Sequence, residues 1–358
     1  MRAIRKAPAH PDLVALPRQI ENPLLTADAE RYEGAMKKRI IILGAIVLVV
    51  VLGWSAAWYF IAGQIRQQVD IMALADGETA PRLTCETLST GGFPFRFELE
   101  CRGATLVSGD MLIALPAWRA SAMAYRPNHV LASANGPAQI SDAFTGMRQD
   151  ISWTDLNASM RLENWRIARL SIVGDDLAWS DSLFGTSMIA SSPHVEVHLL
   201  DIAERHNQEA RRSALALFAR FDAVVAPAIA IEAANAEIEA EIDGLPDDVR
   251  NWGLVPFLPD WQQAGGSLNL VAMRASDATS DLSASGRLAL DAQGYPEGAI
   301  TIDSIGVAER IGPLIEEPWR TLVLGVPGPN GRHANQLNFA GGSLSSGLVP
   351  IAQLEPLF

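Results

Sequence analysis

The chain has 358 residues, of which 49% are hydrophobic, so it can build a substantial core and is not a disordered polypeptide. Its formal net charge is −13, which argues against a nucleic-acid partner, because binding to phosphates requires a basic surface. No lysine occurs after Lys38, which excludes a P-loop lysine and a Schiff-base lysine from the rest of the chain.

The first 36 residues contain four prolines and predict a poorly ordered tail. Residues 1–39 hold eight basic and five acidic side chains, whereas the remainder holds twenty basic and thirty-six acidic ones. The basic excess at the start of the chain is a cue for the orientation of a membrane protein.

The stretch Ile40–Ile61 contains no charged residue and predicts one transmembrane helix, since twenty-two helical residues extend about 33 Å. Lys37–Arg39 precedes it, and only Arg66 lies just beyond it. The positive-inside rule therefore predicts a cytoplasmic N-terminus, with residues 66–358 forming an external, periplasmic domain held by an uncleaved signal-anchor. A cleaved signal peptide and a buried core helix are the alternatives, and the length and position of the stretch disfavour both.

Both cysteines of the chain, Cys85 and Cys101, lie beyond the predicted span. An external location is oxidising, so we expect a disulfide between them; a pair of buried thiols is the alternative. The pair lacks C-x-x-C spacing and no histidine lies near it in sequence, which disfavours a metal site.

Between the cysteines, alternate residues are apolar after the turn signal Gly91–Gly92. This period of two predicts a half-buried strand with one apolar face. Such a face can line a lipid or other apolar ligand, or it can be ordinary core. The candidate residues for the apolar-ligand face are Phe93, Phe95, Phe97 and Leu99.

The same alternation recurs along the chain and predicts a mainly β (α+β) domain: a twisted antiparallel sheet with a few helices. Residues 202–226 are ambiguous between helix, loop and strand, and residues 305–319 can hold a short helix. The predicted strands are 152–163, 164–174, 194–201, 236–243, 267–275, 281–292 and 298–305.

No catalytic motif of the common hydrolase, metalloprotease, nucleotide-binding or dinucleotide-binding classes occurs. His194 and His198 are the one tempting pair of metal ligands. Their segment alternates like a strand, on which side chains four residues apart are about 13 Å apart, too far to share one ion. We therefore expect no catalytic residue, no metal and no cofactor.

Three stretches resemble a known family: residues 85–103, with the Gly-Phe-Pro-Phe-Arg segment between the cysteines, residues 261–305, with Trp-Gln-Gln-Ala-Gly-Gly, and the glycine-rich end 340–358. All three resemble the bacterial family DUF2125. The resemblance implies an N-terminal anchor and carries no catalytic residues. More remotely, the anchor and repeated strands are similar to AsmA-like envelope proteins, whose curved sheets handle lipids.

The sequence thus predicts a non-catalytic, membrane-anchored periplasmic envelope protein that binds lipid or another apolar ligand along a β-sheet groove. The alternative is a structural or interaction subunit of an envelope complex, and an enzyme with an unrecognised site is a third hypothesis. The expected partners are the membrane, crossed once, and lipid or envelope proteins, but no nucleic acid.

Overall fold

Helix α1, Pro23–Ala73, opens the computed structural model, which describes residues 23–252, 256–312 and 314–358, with side chains described from residue 38 onward. The part Lys38–Ala73 is long and apolar enough to cross a membrane. Residues 23–36, predicted as part of the disordered tail, are helical; proline is tolerated in a first helical turn, and the sequence that follows is rich in helix-forming residues. Residues 1–22 of that tail lie outside the described part.

The chain divides into two compact units, Met1–Tyr59 and Phe60–Phe358. The last part of α1, from Phe60 to Ala73, belongs to the second unit, which therefore begins a few residues before the predicted boundary at Arg66. In this part of α1 the side chains that lose exposure are Ala62, Ile65, Val69 and Ala73, spaced three or four residues apart. That spacing puts them on one helical face, so α1 becomes amphipathic where the apolar stretch ends.

Seventeen antiparallel strands and three further helices make up the rest of the described fold. Helices α2, α3 and α4 span Phe257–Gln263, Val307–Ile311 and Trp319–Leu324. The strands are β1 Arg82–Gly91, β2 Arg96–Ser108, β3 Met111–Met123, β4 Arg126–Asn135, β5 Ala138–Asp142, β6 Arg148–Ser152, β7 Asp155–Glu163, β8 Arg166–Asp181, β9 Ser187–Asp201, β10 Arg212–Ala226, β11 Ile231–Pro246, β12 Ser267–Ser276, β13 Asp281–Leu290, β14 Pro296–Ile305, β15 Arg332–Ala340, β16 Ser343–Ser346 and β17 Val349–Gln353.

The described strands form one meander in which each strand pairs with the next in sequence, except that β4 does not pair with β5 and β6 does not pair with β7. The one elaboration lies between β3 and β8, where β4 and β5 together occupy one position of the sheet and β6 and β7 together occupy the next. From β8 to β17 the order of the sheet is the order of the chain. The predicted mainly β fold with an antiparallel meander is confirmed, and residues 212–226 of the ambiguous segment are strand.

One cluster of buried side chains holds the ends of the middle strands together. Trp261 of α2 packs with Ile167, Leu215 and Leu245, and its indole N–H donates a hydrogen bond of 2.6 Å to the carbonyl of Asp243. Gly266 is required beside it, since a Cβ at that position would lie 2.3 Å from the indole nitrogen. The tryptophan of the Trp-Gln-Gln-Ala-Gly-Gly stretch thus has a packing role in the core.

The segment between the cysteines corrects one prediction. Phe93 and Phe95 do not lie on a strand, because β1 ends at Gly91 and β2 starts at Arg96. The hairpin needs a turn here, and the Arg96 N–H donates a hydrogen bond of 3.0 Å to the carbonyl of Gly92, whose φ of +94° suits glycine. Only Phe97 and Leu99 of the four candidates are strand residues.

Cys85 and Cys101 form a disulfide that joins β1 to β2, as predicted. Cys101 is fully buried. β1 pairs only with β2 among the described strands, so this covalent link fastens a strand that hydrogen bonds hold from one side.

Replacing both cysteines, Cys85→Ala with Cys101→Ala, is expected to destabilise the sheet by about 3 kcal/mol, the chain-entropy value for a closed loop of this length. Denaturant unfolding of the sheet, followed by circular dichroism, measures the loss. Wild-type protein under reducing conditions is the control and should lose a similar amount. An unchanged unfolding midpoint in both samples would contradict the structural role of the bond.

Candidate functional site

The sheet has one apolar face, which the strand register makes continuous. Residues directly opposite each other in antiparallel strands lie on the same face, so a chain of paired residues traces one row across the sheet. The first apolar row crosses twelve strands and consists of Phe97, Ala122, Val130, Met160, Leu170, Leu199, Leu217, Ala240, Leu270, Gly286, Ile300 and Leu337.

A second apolar row runs beside the first, two residues away on each strand except β12, where the separation is three residues. It consists of Leu99, Ala120, Ala132, Ala158, Ile172, Val197, Ala219, Ile238, Met273, Ala284 and Ile302 and ends at Asn335. At an inter-strand spacing of about 4.8 Å, the two rows extend for about 50 Å along the sheet.

The exposure of this apolar face is unusual for a protein core. In the two rows only Ala219, Ala240 and Leu337 are buried, and the other side chains keep part of their surface exposed. Core residues of a sheet packed against a second layer are generally buried completely. The rows therefore form an apolar surface that is only partly covered.

An apolar cavity of about 150 Å³ lies where the rows begin. Ala62 and Ile65 of α1 form one wall, and Phe97, Ala122 and Val130 of the first row lie in the opposite wall. Ala62 is the first residue after the stretch Ile40–Ile61, so the cavity lies where the chain leaves the predicted span. We call the ends of the first strands at this cavity, marked by Gly91 and Met123, the anchor end of the sheet.

A second apolar cavity, of about 210 Å³, lies at the opposite ends of the strands β11 to β13. Its walls include Ala234, Ala275 and Leu282 from the sheet and Val307 and Ile311 from α3. Arg310 holds α3 in place through contacts with Asp277, Ser280 and the carbonyl of Ala230. The apolar face thus has a helix-walled cavity at each of two separated places.

The other face of the sheet is polar and carries charges that alternate in sign across neighbouring strands. Glu196, Arg220, Glu237 and Arg274 are successive partners in the register from β9 to β12. Opposite charges on directly paired residues stabilise a sheet, whereas like charges destabilise it. These paired charges favour contact of this face with solvent, so the apolar residues lie on the opposite face.

His194 and His198 both lie on β9, on this polar face. The carboxylate of Glu196 lies between them, 2.9 Å from Nε2 of each, and Asp175 is 2.6 Å from Nδ1 of His194. Hydrogen bonds to Asp175 and Glu196 raise the pKa of His194, and those from His198 and His194 lower the pKa of Glu196. Among the described residues no group of three or more potential ligands is arranged to hold a metal ion.

The structure places the four predicted ligand-face residues in two locations. Phe97 and Leu99 each begin one apolar row, and Phe97 also lines the cavity at the anchor end. Phe93 and Phe95 lie in the β1–β2 turn and are exposed. The sequence analysis did not find the contributions of Ala120, Ala122 and Val130, since isolated alanines carry no signal until the register aligns them.

Comparison with known proteins gives one family. The family model DUF2125, described as an uncharacterized protein conserved in bacteria, matches residues 58–355. No curated protein matches the chain.

The His194 cluster predicts a pH dependence of stability. A raised pKa in the folded state stabilises the fold below the ordinary histidine value near 6.5 and loses this effect as pH rises through the raised value. The decrease in melting temperature caused by His194→Asn is therefore expected to be larger at pH 6 than at pH 8. His129→Asn, on the same face, is the control, because Nε2 of His129 lies 2.9 Å from the hydroxyl of Ser159; equal decreases for His194→Asn at both pH values would contradict the assignment.

Proposed function

The chain belongs to the DUF2125 family of bacterial proteins, and we propose that it is a non-catalytic, membrane-anchored envelope protein that binds a lipid acyl chain along its apolar face. The observation that carries the proposal is the pair of apolar rows, which cross most of the sheet and remain half exposed. A contiguous exposed apolar surface of this extent marks a binding site more often than a core.

Small side chains form part of the proposed site next to the anchor end. Ala120, Ala132 and Ala158 are successive partners on β3, β4 and β7, between the larger side chains Leu99 and Ile172. Three small residues in line leave a depression that continues from the cavity beneath α1. An acyl chain is flexible and narrow enough to follow such a depression from one strand to the next.

The choice of a lipid as the ligand follows from the position of the cavity and the chemistry of the rows. The cavity is walled by the first turn of α1 beyond the predicted span, so a lipid leaving the bilayer meets it first. The rows contain no charged side chain, and their length of about 50 Å exceeds the thickness of about 30 Å of a bilayer's hydrocarbon core. A whole acyl chain therefore fits on the face.

The orientation in the membrane is part of the proposal: the N-terminus is cytoplasmic and the sheet lies in the periplasm. The supporting observations are Lys37–Arg39 before the span and the disulfide Cys85–Cys101, a bond typical of oxidising compartments. The disulfide connects residues of the sheet and thus supports an external location for it.

Protease added to the outer face of spheroplasts is expected to digest the sheet domain, because the proposed orientation exposes it there. Immunoblotting with antibody against the C-terminal region measures the loss. A cytoplasmic protein in the same sample, which should stay intact, controls for lysis. Protection of the sheet domain in intact spheroplasts, with digestion only after lysis, would reverse the orientation.

Blocking the cavity is expected to reduce the amount of bound lipid. Val130→Phe places a larger side chain in the cavity wall, whereas Leu131→Phe adds a similar ring at the next residue of β4, which is 48% exposed on the polar face. Mass spectrometry of lipid extracted from full-length protein, purified from membranes in mild detergent, measures occupancy. We expect Val130→Phe to lose most of the lipid and Leu131→Phe to retain the wild-type amount.

Thermal melting of both variants distinguishes loss of ligand from loss of fold. Each ring is added to a position that is not fully buried, so both variants should melt within a few degrees of wild type. Wild-type protein free of lipid, or equal lipid in the two variants, would overturn the acyl-chain proposal.

A second candidate function, an interaction subunit, is supported by the strand ends opposite the anchor end. Phe144 in the β5–β6 turn is 86% exposed and Phe184 in the β8–β9 turn is 97% exposed. Rings this exposed at turn tips are suited to docking on a partner protein. This function is preferred if wild-type protein carries no lipid.

A further inference from the structure

Two hairpin turns at the anchor end share a pattern that the proposed lipid-binding face does not use. Phe95 ends the β1–β2 turn and Tyr125 ends the β3–β4 turn, and they are 69% and 71% exposed. Each aromatic residue immediately precedes an arginine that begins the next strand, Arg96 and Arg126 respectively. Both turns therefore present an exposed ring with a guanidinium group beside it in sequence.

These two turns lie next to the place where the chain leaves the predicted span. Phe97 and Ala122, which flank the two turns, share the cavity wall with Ala62 and Ile65 of α1. Ala62 follows the apolar stretch directly, and each helical residue advances the chain by only about 1.5 Å. The turns thus lie beside the part of α1 that directly follows the predicted span.

The chemistry of the turns matches a membrane surface. Aromatic side chains concentrate at the boundary between hydrocarbon and water, and arginine extends an apolar stem with a charge that can reach lipid phosphates. Arg66, one helical turn beyond Ala62, adds an exposed basic residue to the same region. The Arg96 side chain forms an ion pair of 2.8 Å with Glu98 and is 53% exposed.

The two most exposed rings at the opposite strand ends lack the pattern. Phe144 is followed by Thr145 and Phe184 by Gly185. Trp319 of α4 does precede an arginine there, but that Arg320 pairs with Glu317 and is 30% exposed. At the anchor end a third turn carries Trp165 before Arg166, but the Trp165 ring packs 4.6 Å from the Arg250 guanidinium and Arg166 pairs with Asp201. Trp165 and Arg166 therefore both make contacts within the fold.

We propose that Phe95 and Tyr125, with Arg96 and Arg126, insert into the headgroup region of the bilayer that holds α1. The two turns then act as a second membrane contact besides the span. They fix the anchor end of the sheet against the lipid surface, with the cavity between α1 and the sheet opening there. This contact does not depend on whether the apolar face carries an acyl chain.

Site-specific photocrosslinking tests the contact in the full-length protein. The crosslinking amino acid p-benzoylphenylalanine replaces one residue at a time: Phe95, Tyr125, Phe144 or Phe184. Each protein is reconstituted into vesicles of phosphatidylethanolamine and phosphatidylglycerol and irradiated. After denaturation and solvent extraction of free lipid, intact mass spectrometry measures covalent lipid adducts.

We expect lipid adducts at positions 95 and 125 and only background at positions 144 and 184. The two control residues, Phe144 and Phe184, are aromatic turn residues that are more exposed than the test residues. If exposure alone determined crosslinking, the controls would give more lipid adducts than positions 95 and 125. Similar adducts at all four positions, or background at 95 and 125, would overturn the proposal. The outcome is separate from that of the Val130→Phe experiment, which reports on lipid retained after purification.

Hydrogen exchange in the same vesicles provides a measurement that does not need the crosslinker. The double variant Phe95→Ser, Tyr125→Ser is expected to lose protection of the two turns in vesicles relative to wild type. The matched variant Phe144→Ser, Phe184→Ser should leave these turns as protected as in wild type. If both double variants exchange like wild type in the two turns, the rings do not hold the turns in the bilayer.

Discussion

The register between neighbouring strands is the constraint on which the rest of this structure depends. Side chains alternate between faces with a period of two, so a slip of one residue in any pair would move the apolar positions of one strand to the polar face. Each row would then be interrupted at that strand. β12 shows how the register is protected: Leu270 and Met273 are three residues apart, yet both lie on the apolar face because a bulge at Val271 inserts one extra residue.

The strands themselves could be predicted from sequence, since each carries its own alternation, but the rows could not. A row depends on which residue of one strand lies opposite which residue of the next, and turn lengths determine this. The β1–β2 turn illustrates the difficulty: Phe93, Phe95, Phe97 and Leu99 alternate without interruption, and only the pairing of Gly91 with Glu98 shows that the first two belong to the turn. Likewise, the sequence did not predict that α1 continues beyond Ile61. Ala62, Ile65 and Val69 are too few apolar residues, too widely spaced, to predict an amphipathic helix.

The half-exposed face has to be held in shape without a complete second layer, and local anchors at its borders do so. Trp261 packs over the ends of the middle strands, and Arg310 connects α3 to the β12–β13 turn and to Ala230. The disulfide fastens β1 to β2. Because these anchors lie at the borders, the rows between them owe their order chiefly to backbone pairing and to opposite charges on the polar face. A partly exposed apolar face costs stability in water, and the proposed acyl chain would reduce that cost by covering it.

The second apolar row is bounded at both ends, which bears on what the proposed lipid can do. At one end α1 covers the cavity that Leu99 lines. At the other end the second row meets Asn335, whose side-chain amide donates hydrogen bonds of 2.8 and 2.9 Å to the carbonyls of Leu322 and Val323 in α4. The neighbouring pair Ser304 and His333 is also polar and buried. A polar boundary covered by a helix does not offer an acyl chain an apolar exit at β15. Under the proposed function, this arrangement is suited to holding an acyl chain on the face rather than to passing it along the whole sheet.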